Sequence, residues 1–184
     1  MHFDPLEVPG AFLATGQTFV DSRGEFTEWF KHKELEEITK QKFAVVQANT
    51  SVSNTGVLRG IHFSRAKQSK WVGCLSGAIL DVIVDLRVGS PTFLKSIFTK
   101  MEPTNPQLLL VPAGVGHGFL SLENKSVVSY LLTSPYSPND EFAIDAFDSD
   151  LNLDWPEAEY LRSKKDEEAS ALNDHIKGGT LPRF

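Results

Sequence analysis

Between residues 43 and 133 the chain is a succession of short β-type runs with no helical pattern between them: FAVVQANTSV, GVLRGIHF, KWVGCLSG, AILDVIVDLRV, TFLKSIFTKM, QLLLVPAG, HGFLSL and SVVSYLLT. Turn residues separate most of them, at Ser53-Asn54-Thr55-Gly56, Gly89-Ser90-Pro91, Pro112-Ala113-Gly114 and Glu123-Asn124. Many short strands without intervening helices predict an all-β chain, an antiparallel sandwich or barrel. In AILDVIVDLRV one face carries Ala78, Leu80, Val82, Val84 and Leu86, and the other Ile79, Asp81, Ile83, Asp85 and Arg87. A face that mixes aliphatics with acids suits a strand lining a polar cavity.

Helix is scarce. KHKELEEITKQ (31–41) reads as a short surface helix with Leu35 and Ile38 as its apolar anchors. After Asp154-Trp155-Pro156 the chain turns charged, and LRSKKDEEASALNDHI is expected to be helical in part. No repeat or low-complexity tract occurs. At 184 residues the chain fits one domain, 1–184, with a β-core at about 43–133 and a capping segment at about 156–184. A net charge of -6 argues against a general nucleic-acid binder, yet leaves room for one anionic ligand held by a few local arginines. The single cysteine, Cys74, rules out an internal disulfide and sits in an apolar run where a thiol normally just packs. With no signal-peptide pattern and no apolar run of membrane-spanning length, no membrane association and a cytoplasmic location are expected.

The run Gly56-Val57-Leu58-Arg59-Gly60-Ile61-His62-Phe63 would read as a buried strand but for its arginine and histidine. Strand alternation sends positions 59 and 62 to opposite faces unless Gly60 breaks the pleat. Of the histidines 2, 32, 62, 117 and 175, only His62 and His117 fall in the β-core. Each alone is more simply a hydrogen-bonded core residue. Their company changes the balance: His117 follows the glycine-rich VPAGVG, and Tyr130 stands in VVSYLL where an aliphatic would do. A buried tyrosine hydroxyl needs a partner. No H-x-H or H-E-x-x-H pattern occurs, so no metal site is expected. No P-loop or G-x-G-x-x-G exists either, so a phosphate would have to meet side chains such as Arg23 and Arg59, each beside a glycine.

Six segments in chain order, DSRGEFTEWF, VQANTSVSNTGVLRGIHF, DVIVDLRVGSPTF, VPAGVGHGFLSL, SYLLTSPYSP and LDWP, together resemble the dTDP-4-dehydrorhamnose 3,5-epimerase family. The resemblance runs from near residue 5 to the terminal LPRF. It implies a cupin-type jelly-roll sandwich with a few short peripheral helices, working without metal or other cofactor, usually as a homodimer. It also implies the substrate dTDP-4-keto-6-deoxy-D-glucose, epimerised at C3 and C5 to dTDP-4-keto-L-rhamnose.

By the same resemblance His62 is the base, oriented by Asp166, and Tyr130 is the acid on the opposite face of the sugar. Lys70 would stabilise enolate charge on the C4 oxygen, with Lys67 its rival in the loop SRAKQS. Arg23 and Arg59 match diphosphate ligands, and Tyr136 matches a tyrosine that stacks on thymine. Phe26 and Glu28 would line the nucleotide side, Gln47 and Asn49 would hydrogen-bond sugar or phosphate, and His117 would bind near the sugar. Glu141 and Lys165 match positions at the cleft edge. The chain departs from the family pattern in a shorter SRAKQS loop and in YLLTSPY, where Pro135 replaces a second tyrosine. GVGHGF and SYLL are also similar to relatives that act on antibiotic sugars, some of which invert one carbon. A C3-only or C5-only epimerase or a ketoisomerase is therefore the alternative reading. A metal-dependent cupin and a non-catalytic sugar-nucleotide binding module rank below it.

Overall fold

Turn residues divide the chain into strands whose pairing yields two main sheets and a hairpin. The computed structural model describes residues 1–40 and 44–184. The six-stranded sheet runs in the order β1 (His2–Pro5), β2 (Phe12–Thr15), β10 (Gln107–Val111), β7 (Lys70–Ser76), β12 (Ser126–Leu132) and β5 (Gln47–Ser53). The five-stranded sheet runs β13 (Glu141–Ala143), β6 (Leu58–Ser64), β11 (Val115–Ser121), β8 (Ile79–Asp85) and β9 (Ser96–Met101). The chain steps repeatedly from one sheet to the other, and the ladders within both are antiparallel. This is the cupin-type jelly-roll sandwich. The hairpin of β3 (Gln17–Asp21) and β4 (Gly24–Glu28) forms a sheet of its own.

Three apolar layers explain why both faces of the central strands are hydrophobic. Val72, Ile79, Ile83, Leu109, Phe119 and Val128 close the space between the sheets. The outer face of the five-stranded sheet, with Leu58, Ile61, Phe63, Val82, Val84 and Leu86, is covered by Ile144 and Leu151 and, from the C-terminal segment, by Leu172 and Leu181. Each leucine buried this way stabilises the fold by roughly 1.5–3 kcal/mol. The C-terminal segment therefore caps the sandwich, carrying the short helices α2 (Lys164–Glu167) and α3 (Leu172–Lys177).

Helix α1 (His32–Thr39) covers the six-stranded sheet, where Leu35 packs with Trp71, Leu108 and Leu110. The helix expected over 31–41 is shorter at both ends. Lys40 adopts a left-handed conformation that stops it, and Gln41 lies outside the described residues. Ile38, expected as a second anchor, is 44% exposed, so Leu35 alone is buried from this helix. The run expected from Phe43 becomes strand only at Gln47, and Phe43 itself lies outside the described residues. Among the described residues, no helix is long and apolar enough to cross a membrane.

Candidate active site

The conflict posed by Arg59 and His62 is resolved by a bulge. The β6–β11 register pairs His62 with His117 and then Arg59 with Phe119, so β6 carries one more residue than β11 between the two pairs. Gly60 supplies that extra residue with φ of +107°, a conformation glycine adopts without steric cost. The pleat shifts by one, and Arg59 and His62 both line the cavity between the sheets. Leu58, Ile61 and Phe63 turn outward to the C-terminal cap.

That cavity, of about 270 Å³, draws residues from both sheets. Arg59, His62, His117, Phe119 and Glu141 come from the five-stranded sheet, and Asn49, Ser51, Lys70, Tyr130 and Leu132 from the six-stranded one. His62 and Tyr130 thus reach the cavity from opposite sheets. His62 Nε2 lies 2.6 Å from Asp166 Oδ1. Burial of Asp166 opposes its ionisation, but hydrogen bonds from His62, Ser163 and the Gly60 backbone outweigh this and hold its carboxyl below the ordinary range. An ionised carboxylate only accepts, so Nε2 must donate, and Nδ1 is the nitrogen left with a lone pair.

A second dyad lies deeper. His117 Nε2 is 2.8 Å from Asp81 Oδ2, both residues buried. Burial pushes the His117 imidazole below its ordinary value, against the opposing pull of Asp81. Burial likewise pushes the Lys70 ammonium down, with Glu141 and Asp81 working the other way. Tyr130 stands edge-on to the His117 ring at 6.2 Å between centroids, and its hydroxyl is 3.5 Å from Ser51 Oγ. Burial raises the Tyr130 phenol well above its usual value, so it carries its proton at neutral pH. Among the described residues no group of His, Cys, Asp and Glu is arranged to hold a metal ion.

The rim is fixed by amides. Gln47 Oε1 accepts from the Tyr136 backbone N–H at 3.0 Å, and Gln47 Nε2 donates to Asn49 Oδ1 at 2.9 Å. Gln68 Nε2 donates to the carbonyls of Ser134 and Pro135. These bonds fix the backbone of Ser134, Pro135 and Tyr136, and Tyr136, 52% exposed, lines the cavity. Arg59 Nε donates to Ser53 Oγ at 3.1 Å, and the residue forms no ion pair among the described residues.

Of the residues singled out from sequence, the cavity brings together Asn49, Arg59, His62, Lys70, His117, Tyr130, Tyr136 and Glu141, with Asp166 behind His62 and Gln47 behind Tyr136. Lys67 lines a separate cleft with Arg65 and Arg183, so Lys70 is the lysine of this cavity. Lys165 is exposed on α2. Arg23, Phe26 and Glu28 lie outside the cavity of their own chain, on the β3–β4 hairpin, where Arg23 bonds Asp21 and Glu28 bonds Lys31. Sequence reading missed Ser51, Gln68 and Phe119. Ser51 continues the alternation of Gln47 and Asn49 and was within reach; Gln68 carried no such signal.

Comparison with known proteins gives concordant results. The family model for dTDP-4-dehydrorhamnose 3,5-epimerase matches residues 5–174. A Streptomyces griseus dTDP-4-dehydrorhamnose 3,5-epimerase is 39% identical over 98% of this chain and 91% of its own length. The solved structure of a Mycobacterium tuberculosis epimerase superposes with a TM-score of 0.96 at 39% identity, covering 100% of this chain and 94% of that one. A 3'-monoepimerase from Streptomyces bikiniensis, solved with dTDP-quinovose, gives a TM-score of 0.94 at 37% identity, covering 100% and 93%.

Proposed function

The chain belongs to the dTDP-4-dehydrorhamnose 3,5-epimerase family, and we propose that it converts dTDP-4-keto-6-deoxy-D-glucose to dTDP-4-keto-L-rhamnose by proton transfer between His62 and Tyr130. The observation that carries this reading is the placement of the two groups on opposite sheets across one cavity. The C4 ketone acidifies the hydrogens on C3 and C5. His62 Nδ1 takes such a proton, and the C–H electron pair moves onto the C4 oxygen. Lys70 stabilises the resulting enolate, a fixed charge acting where charge develops. Tyr130 then protonates the same carbon from the other face, and the configuration inverts. Solvent protons later restore Tyr130, and His62 releases the proton it took. Positioned acid–base catalysis of this kind contributes about 10²–10⁴-fold. Asp166 keeps Nε2 protonated and stabilises the imidazolium that forms.

The nucleotide reading is supported at the rim. Ser53 anchors Arg59 by Nε, which leaves the guanidinium's terminal nitrogens for a diphosphate, while Tyr136 offers an aromatic face to the base. Arg23, Phe26 and Glu28 can join the nucleotide only from a second copy of the chain, so the working unit we propose is a homodimer. The hairpin that carries them exposes Phe19, Val20 and Phe26, an apolar surface suited to a partner.

A 3-monoepimerase is the second reading, since the Streptomyces bikiniensis monoepimerase is similar to this chain nearly as strongly as the 3,5-epimerases are. Incubation with dTDP-4-keto-6-deoxyglucose in D₂O, followed by NMR, distinguishes the two. The expected product carries deuterium and inverted configuration at both C3 and C5; labelling at C3 alone establishes the second reading. His62→Asn should abolish exchange. Tyr130→Phe should keep some exchange with retained configuration, because His62 can return a deuteron to the face it deprotonated. Inversion by Tyr130→Phe at the unmutated rate would overturn the acid assignment.

A further inference from the structure

Asp166 is delivered to His62 by a helix of four residues, far too short to be stable by itself. Its position must therefore come from side chains around it. Ser163 is the N-cap of that helix, and Asp166 is its third residue. In the usual capping box the cap hydroxyl accepts the backbone N–H of the third residue, whose carboxylate reaches back to the cap's own N–H. Here the first half is present: the Asp166 N–H donates to Ser163 Oγ at 3.2 Å. The second half is altered, because the Ser163 hydroxyl itself donates to Asp166 Oδ2 at 2.7 Å. One hydroxyl thus caps the helix and also takes up one carboxylate oxygen, leaving Oδ1 to face His62 Nε2 at 2.6 Å.

We infer that Ser163 is a positioning residue for the His62–Asp166 dyad, fixing the rotation of the Asp166 carboxylate so that Oδ1 holds the imidazole. The inference rests on the proposed role of Asp166 in orienting His62. A carboxylate turns easily about its terminal torsion when only one oxygen is held, and χ2 of aspartate is broad and two-fold. Asp166 is 3% exposed whereas Ser163 is exposed, so the serine hydroxyl reaches inward from the surface to a buried carboxylate. The Gly60 backbone also hydrogen-bonds this carboxylate, so Ser163 is one of two donors besides His62 that fix its rotation. Ser163 is not among the residues that line the cavity.

An ordinary cap would matter for stability alone, so the test separates the two roles. Ser163→Ala should lower kcat roughly tenfold, in the range for losing a partner of a catalytic group, with KM changed by less than about twofold. Ser163→Thr keeps the hydroxyl and should restore most of the rate. Ser163→Gly removes the hydroxyl at little cost to the cap and should behave like alanine even if alanine unfolds the segment. In an Asp166→Asn background the serine substitution should have no further effect on kcat, because its action runs through that carboxylate. A low-field imidazole N–H signal from His62 should be present in the unmutated protein, absent in Asp166→Asn and weakened in Ser163→Ala, without any substrate. Unmutated kcat and an unchanged signal in Ser163→Ala, with Asp166→Asn impaired, would overturn the inference alone. So would an undiminished serine effect in the Asp166→Asn background. Full turnover by Asp166→Asn would instead overturn the dyad reading and the inference together.

Discussion

Gly60 is demanded twice over at the centre of this site. Its φ of +107° is costly for any residue with a side chain, and an added Cβ would meet the His117 carbonyl oxygen at 2.6 Å and Gly118 Cα at 2.8 Å. Both contacts are to backbone, which cannot swing aside. Gly60→Ala should therefore destabilise the protein by about 1–3 kcal/mol in chemical denaturation. It should also lower turnover beyond what the stability loss explains, because the bulge sets both Arg59 and His62. A variant as stable and active as the parent would mean the bulge is not needed. The sequence made this residue suspect without saying what it does. Alternation along one strand sends Arg59 and His62 apart, and only the register against β11, more than fifty residues away, puts them on one face. The same paired arrangement bears on metals: each cavity imidazole is already engaged by a carboxylate, and no third donor joins them among the described residues. Turnover should survive exhaustive EDTA treatment; loss on chelation, restored by one divalent ion, would sink the metal-independent mechanism.

At the scale of elements, the central strands were legible because turn residues and apolar runs are local signals. The hairpin's purpose was not. DSRGEF by itself shows only Arg23 beside a glycine, and nothing within one chain tells whether Arg23 and Phe26 serve their own cavity or another's. The structure sets the hairpin apart from the sandwich sheets, with Phe26 67% exposed. The C-terminal segment was legible as charged and helical in part, but helices of four and six residues carry too little periodicity to place Asp166 against His62. If the hairpin of one protomer completes the site of its partner, complementation should follow. Arg23→Ala and His62→Asn would each be impaired as pure variants. Mixed dimers would contain one site with an intact histidine and an intact arginine, and one site lacking both. Unfolding and refolding the two variants together should therefore recover up to about a quarter of the unmutated activity, from half the dimers with one good site each. No recovery, despite mixed dimers demonstrated by mass spectrometry, would place Arg23 in its own chain's site or in neither.

For the whole molecule, the buried dyads couple catalytic geometry to acid stability. His117 is held neutral in the cavity: burial lowers its tendency to protonate, Lys70 and His62 add to that, and Asp81 opposes it without prevailing. A group whose folded value lies below its unfolded one contributes stability that is present above the unfolded value and lost as pH falls through the folded value. For His117 the loss begins below about pH 6.5, its ordinary value, because the unfolded chain then binds a proton that the folded chain resists. Asp166 and Asp85 are also held below their ordinary value of 3.8, by hydrogen bonds that outweigh burial. Their contribution is complete above that value and disappears at still lower pH. Stability should therefore decline in two stages, a first that begins below about pH 6.5 and a second that begins below about pH 3.8. Urea unfolding midpoints measured from pH 8 down to pH 3 would trace both. His117→Gln retains an amide able to donate to Asp81 but cannot titrate, so it should flatten the first stage and leave the second. A first stage of unchanged slope in His117→Gln would show that the deep dyad is not what the sandwich loses when mildly acidified.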